Sequence, residues 1–136
     1  SLPQSLPRTV TDAIVVTKAL IYRYLWVDEL CINQGDTLHR DSQIKKMDQI
    51  YRGADLTIVA AAGDHKHHGL PGVGSPWRTS KLFMLPGKGA VLSIGPDPMG
   101  RIWRSSTWWK RAWTFQEGYL SRRLLVFTDN QMLVLC

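Results

Sequence analysis

Two short runs in this chain set tryptophan beside acids, amides and a base. The first is Tyr24-Leu25-Trp26-Val27-Asp28-Glu29-Leu30-Cys31-Ile32-Asn33-Gln34. The second is Trp108-Trp109-Lys110-Arg111-Ala112-Trp113-Thr114-Phe115-Gln116-Glu117. A packed core has no need of that mixture, because a buried polar group costs free energy unless it finds a partner. Carboxylates such as Asp28 and Glu117 can stabilise a developing cation or hold sugar hydroxyls. A tryptophan face can stack on a base ring, and Arg111 offers a planar fork for phosphate. Cys31 is a candidate nucleophile, but a thiol enzyme needs a histidine placed to activate it. Nothing in the sequence places His39, His65, His67 or His68 there, and a small buried thiol is the alternative reading.

Spacing says where these groups should sit. On a helix, Trp113 and Glu117 are four residues apart and share a face, with Gln116 alongside. The positions three and four away from Glu117 are Trp113, Thr114, Leu120 and Ser121, none of them basic. That points Glu117 to a partner distant in sequence. If Tyr24–Leu30 is a strand, its alternation puts Asp28 with Trp26 and Leu30 in an apolar layer. Such an acid needs a partner, and Arg111 is the candidate. Full burial of that pair would make Asp28→Ala cost roughly 3–5 kcal/mol, while a ligand-facing Glu117 would tolerate Gln without loss of fold. A structural Asp–Arg tie, and a glutamate that only braces the backbone beside a buried tryptophan, stand as the other readings.

The elements that must position these residues follow from periodicity. Thr9 or Thr11 can cap a helix that runs to about Tyr22. Tyr24–Leu30 reads as a strand and 33–38 as a turn. His39–Ala54 reads as one helix, with Ile44, Met47, Ile50 and Tyr51 in a stripe. Leu56–Ala62 is a nearly continuous apolar strand. Strand, helix and strand in that order make a βαβ unit with a parallel pair. Lys81–Leu85 and Ala90–Ile94 form a hairpin around Pro86-Gly87-Lys88-Gly89. Trp108–Leu120 is a second helix, followed by strands at Leu124–Phe127 and Met132–Leu135. In an open parallel sheet, ligands bind at the carboxyl ends of the strands. That rule places Asp28, Cys31, Asn33 and Gln34 near the expected crevice, facing the Arg111–Glu117 helix.

Composition bounds the rest. The chain has 136 residues, 44% hydrophobic and 21% charged, which suits one domain with a real core. Two cysteines make no disulfide framework, and no apolar run is long enough to span a bilayer. A reducing, cytoplasmic location is the expectation. Of the net charge of +6, most falls in 101–123, where Arg101, Arg104, Lys110, Arg111, Arg122 and Arg123 face a single acid, Glu117. That segment could attract phosphate or simply form a solvated face. Its aromatics fall in a helix pattern, which reads as core more readily than as a base-stacking platform, so nucleic acid is not the expected partner. Asp64-His65-Lys66-His67-His68 has no second ligand cluster at matching spacing, and no metal is expected. Gly69, Gly72 and Gly74 neither follow a strand nor open a helix, so they are no dinucleotide fingerprint.

The two runs together closely resemble the signature of the fungal HET (heterokaryon incompatibility) domain, which tends to read YLWVDxLCINQ and later RGWTxQE. The intermediate pieces Met47, Ile50-Tyr51, Ala54, Gly69-Leu70 and Leu120-Ser121-Arg122 stand in the family's order, so the resemblance spans roughly 7 to 136. An earlier SYxWG-type strand of such chains is absent. The resemblance therefore implies a single HET-like domain over 1–136, truncated at both ends. It implies an α/β fold with a mainly parallel, TIR-like or flavodoxin-like sheet, flanking helices and C-terminal hairpin additions. It implies an effector of non-self recognition that triggers programmed cell death. TIR domains that cleave NAD use a helical glutamate in a W-x-x-x-E run, and Trp113 to Glu117 has that spacing. By that analogy Glu117 is the catalytic carboxylate of an NAD(P) glycohydrolase. Trp113, Arg111, Asp28, Cys31, Asn33, Gln34 and Gln116 would bind the nucleotide, with NAD as substrate and no resident cofactor. The alternative is a non-catalytic module that signals by self-association or by binding other cell-death domains.

Overall fold

The computed structural model describes residues 5–74, 82–84, 91–93, 106–111, 114–129 and 131–136. Helix α1, Arg8–Ala19, starts directly after Pro7, whose fixed φ suits a helix entry. Pro7, not a threonine, holds the cap position. Thr11 Oγ1 donates to the Pro7 carbonyl at 3.3 Å, and Thr9 Oγ1 accepts from the Gly69 amide. The inner face of α1 carries Val10, Ala13 and Val16. Buried Asp12 is satisfied by the Leu70 amide at 2.8 Å, which pins the 63–74 loop to the helix.

The strand expected over Tyr24–Leu30 does not form. Tyr24–Val27 lies outside any strand, and Asp28–Cys31 is a short helix, α2. The reason is local. Asp28 and Glu29 occupy the first turn, where negative charge suits a helix N-terminus, and the Cys31 amide reaches back to the Val27 carbonyl at 2.8 Å. Strand alternation therefore does not apply, and Asp28 is exposed instead of lying in an apolar layer.

The helix expected over His39–Ala54 is two helices. α3, Thr37–Lys45, is capped by Asp36, whose side chain accepts from the His39 amide at 3.0 Å. α4, Met47–Gly53, restarts after Lys46 and turns Met47 and Tyr51 inward. Ile44 stays on the surface side of the break. The expected stripe thus holds only in its second half.

Strands β1 (Thr57–Ala60), β4 (Leu124–Phe127) and β5 (Met132–Leu135) form one sheet in the order β1-β4-β5. β1 and β4 are parallel and β4 and β5 antiparallel, so the described sheet is small and mixed. The class is α/β, but these strands do not make the mainly parallel sheet expected, since the first strand of the proposed βαβ unit is missing. β2 (Leu82–Met84) and β3 (Val91–Ser93) form the expected antiparallel hairpin. Thr114–Leu120 forms the last helix, α5. Trp108 itself lies in a turn ahead of α5, and the Trp108–Leu120 helix is shorter than expected.

Period-two alternation sorts the core onto two faces. Leu125 and Phe127 pack with Ala13, Val16 and Leu70 on the α1 face. Val59, Leu124 and Val126 pack with Trp108 on the other. All four residues of β4 are buried, as befits a central strand covered on both sides.

Candidate functional site

Glu117 ties α5 to α4 and to Trp108. It lies in the first turn of α5, half-buried. The Tyr51 hydroxyl donates to its Oε1 at 3.1 Å, and the Trp108 indole N–H donates to its Oε2 at 2.8 Å. Each carboxylate oxygen thus holds one protein donor and keeps a further lone pair. Two more contacts fix the helix below it. Ser121 Oγ donates to the Glu117 carbonyl at 2.6 Å and lies 2.7 Å from Thr57 Oγ1 on β1. A Cβ on Gly118 would stand 3.4 Å from Trp108 Cη2, so the missing side chain makes room for the indole.

Tyr51 carries the site across to the first motif. Its ring meets Trp26 edge-on, with centroids 6.1 Å apart. Burial, then the charge and hydrogen bond of Glu117, then the charge of Asp28, hold its phenol well above its ordinary pKa. Tyr51 is therefore a neutral donor at any physiological pH. Asp28 is near enough for its charge to act on that phenol. The result is a chain of contacts, Trp26–Tyr51–Glu117–Trp108, with Asp28 at its side. It combines a fixed carboxylate, a neutral hydroxyl, an exposed second carboxylate and two indole rings. Those groups can hold a sugar or stabilise a cation, and the same bonds can simply lock α4 to α5.

The other expected site residues fall differently. Arg111 is exposed, and the ion pairs between described residues do not include Asp28 with Arg111. Asp28 instead uses Oδ1 to accept the Glu29 amide at 2.7 Å, within its own helix turn. The buried ion pair expected there is overturned, because α2 turns Asp28 to solvent. Cys31 is exposed too, so the buried-thiol reading fails; its Sγ accepts from the Val27 amide at 3.5 Å. Asn33 and Gln34 are exposed. Asn33 Oδ1 accepts from the Gly35 backbone N–H, and the Asn33 backbone N–H donates to His39 Nδ1. Gln116 is half-buried beside Glu117. Trp113 lies outside the described residues.

Sequence reasoning placed Glu117 in a long-range role and did not find its partners. Tyr51 was read as one member of an apolar stripe and, with Ile50, as a piece of the HET resemblance, without a role at the site. Its hydroxyl was the available signal, since a buried tyrosine O–H usually has a partner. Among the described residues no three His, Cys, Asp or Glu side chains gather as a metal would need. None of the described helices is long and apolar enough to cross a membrane.

No curated protein and no solved structure gives a significant match to this chain. The family model described as Heterokaryon incompatibility protein (HET) matches residues 1–117. The match takes in both tryptophan motifs and ends on Glu117 itself, ahead of β4 and β5. Membership implies involvement in heterokaryon incompatibility, and on that match the chain belongs to the HET family.

Proposed function

We propose that this domain is the effector of a non-self recognition response, that its output is programmed cell death, and that Glu117 is the working carboxylate. The chemistry proposed is cleavage of the nicotinamide–ribose bond of NAD(P). The observation that supports it is the fixed carboxylate itself. Tyr51 and Trp108 hold both oxygens of Glu117 in place while leaving each a lone pair, and Tyr51 links that carboxylate to Trp26 of the first motif. Breaking the nicotinamide–ribose bond sends its electron pair to nicotinamide and leaves an oxocarbenium-like ribose, which water then traps. A preorganised anion stabilises that cation without moving. Trp26 offers a ring to the base, and Asp28 a second acceptor for ribose hydroxyls. Arg111, Gln116, Asn33, Gln34, Cys31 and Trp113 are proposed as flanking nucleotide contacts.

One observation favours a second reading. Both oxygens of Glu117 already have protein donors, as in a structural tie. On that reading the domain is a non-catalytic module that signals through self-association or a partner cell-death domain. Nicotinamide release from NAD, measured on the wild type and on Glu117→Gln, both as isolated protein and as forced oligomers, separates the two. Release that vanishes in a folded Glu117→Gln variant supports catalysis. Cell death on induction with unchanged cellular NAD content establishes the module.

A further inference from the structure

The turn that leaves α1 is the most exposed apolar feature of the described residues. Ile21 is 90% exposed, Tyr24 84% and Leu20 46%. Ile21 also has φ of 63°, in the left-handed region that a β-branched residue rarely enters. Glycine or asparagine usually stands just past a helix end in that conformation. Here the Ile21 amide donates to the Lys18 carbonyl and the Tyr22 amide to the Thr17 carbonyl, each at 3.0 Å. These bonds close the helix around an isoleucine that gains almost no burial in return.

The base of the turn is tied down. The Tyr22 hydroxyl donates to Asp55 Oδ2 at 3.2 Å, and Arg123 pairs with Asp55 Oδ1 at 3.1 Å. Tyr22 therefore faces the body of the domain, and Ile21 and Tyr24 are left pointing outward on a fixed stem. Lys18 and Arg23 flank them, with no acid between Lys18 and Tyr24. The Arg23 guanidinium lies 5.8 Å from the Tyr24 ring centroid. Backbone strain kept at a surface residue motivates a functional reading.

The geometry points to the Leu20–Tyr24 turn as a docking tip for an anionic membrane surface. Its parts match the layers of a leaflet. Ile21 and Leu20 enter the acyl boundary, and Tyr24 sits at headgroup depth with its hydroxyl in water. Lys18 and Arg23 meet lipid phosphates. A single small tip gives weak, reversible attachment, not insertion. Charge selects lipid over a purely apolar protein groove, because Lys18 and Arg23 put cations and no acid within the tip's own sequence, and the one acid at its base, Asp55, is paired with Arg123.

Cosedimentation with phosphatidylcholine vesicles, with and without phosphatidylserine, tests this. The wild type should pellet with the anionic vesicles and stay in solution with the neutral ones. Ile21→Asp should lower binding by about tenfold, since it removes the largest apolar contact. Ile21→Gly should also lower binding while raising Tm by a few degrees, because glycine adopts the left-handed turn without steric cost. No pelleting with anionic vesicles overturns the proposal, as does an Ile21→Asp variant that binds like the wild type. Concentration-dependent dimers that Ile21→Asp abolishes, without vesicle binding, would assign the tip to a second copy of the chain and overturn the lipid reading.

Discussion

The two tryptophan motifs look alike in composition, yet the structure holds them by different means. The first is closed mainly by its own neighbours, with two longer reaches, Trp26 to Tyr51 and Glu29 Oε1 to Lys66 Nζ at 2.7 Å on the surface. Asp28 bonds to Glu29, Cys31 to Val27, and Asn33 to Gly35 and His39, all within a few residues. Most of its polar groups are exposed. The second is tied across the molecule, with Glu117 bonded to Tyr51 on α4 and to Trp108, which packs on Val59 and Val126. The polar groups of such a motif can thus be satisfied mainly by local bonds or serve as a tie between elements, and the residue types alone do not say which. The difference predicts that substitutions of Trp108 and Glu117 are felt in stability and those of the exposed polar residues of the first motif are not.

Trp108→Ala should have the largest effect. It removes a buried ring from the sheet face and one donor from Glu117, so a loss of about 3–5 kcal/mol in chemical denaturation is expected. A loss under about 1 kcal/mol would put Trp108 outside the core. Glu117→Ala should cost about 2–3 kcal/mol, because the Tyr51 hydroxyl and the indole N–H lose their acceptor together. Glu117→Gln keeps one acceptor oxygen and should cost less. A double-mutant cycle of Glu117→Gln with Tyr51→Phe should show coupling, since the two residues share a bond. This revises the expectation that Glu117→Gln leaves stability untouched, and activity assays on it need a melting control.

Alkaline titration gives a further expected effect. Tyr51 is held above its unfolded pKa of about 10, so the folded state binds the proton more tightly. Its contribution is complete below about pH 10 and is lost as pH rises from there towards the folded value. Wild-type melts should fall over that range, and Tyr51→Phe should flatten the slope. An equal slope in both proteins would remove Tyr51 from the tie. Asp28→Ala should have the smallest effect, within about 0.5 kcal/mol, because Asp28 is exposed and bonded only to its own helix turn. A loss above about 2 kcal/mol would restore a buried partner for Asp28 and erase the contrast between the motifs.

Much of the fold was legible because it rests on local pattern. α1, the hairpin and the strands β1, β4 and β5 all fall where periodicity put them. Tyr24–Leu30 was misread because an aromatic-apolar run looks the same whether or not it finds a strand partner. The acids that end it favour a helix turn instead. The break at Lys46 was invisible because Ile44, Met47 and Tyr51 keep helical spacing through it. Only packing decides that Met47 and Tyr51 go inward and Ile44 does not. For the site, Glu117 was found by the lack of a basic neighbour. The partnership with Tyr51 was not, because nothing in the sequence relates residues 66 apart until the sheet brings them together.

The parallel pairing of Thr57–Ala60 with Leu124–Phe127 has a consequence for how the domain comes into being. Parallel strands far apart in sequence close a large loop, which is entropically costly and kinetically late. A chain emerging from the ribosome presents the first motif, α3, α4 and β1 well before β4 exists. At synthesis rates of ~5–20 residues/s the interval lasts several seconds. For most of it Tyr51 lacks Glu117, and throughout it β1 lacks β4, its partner among the described strands. Sheet closure waits for β4 and the Glu117 tie for residue 117, so a nascent chain or a fragment that ends within 61–116 carries neither. Pulsed hydrogen exchange during refolding should find the amides of β1 and β4 gaining protection together, after those of α1.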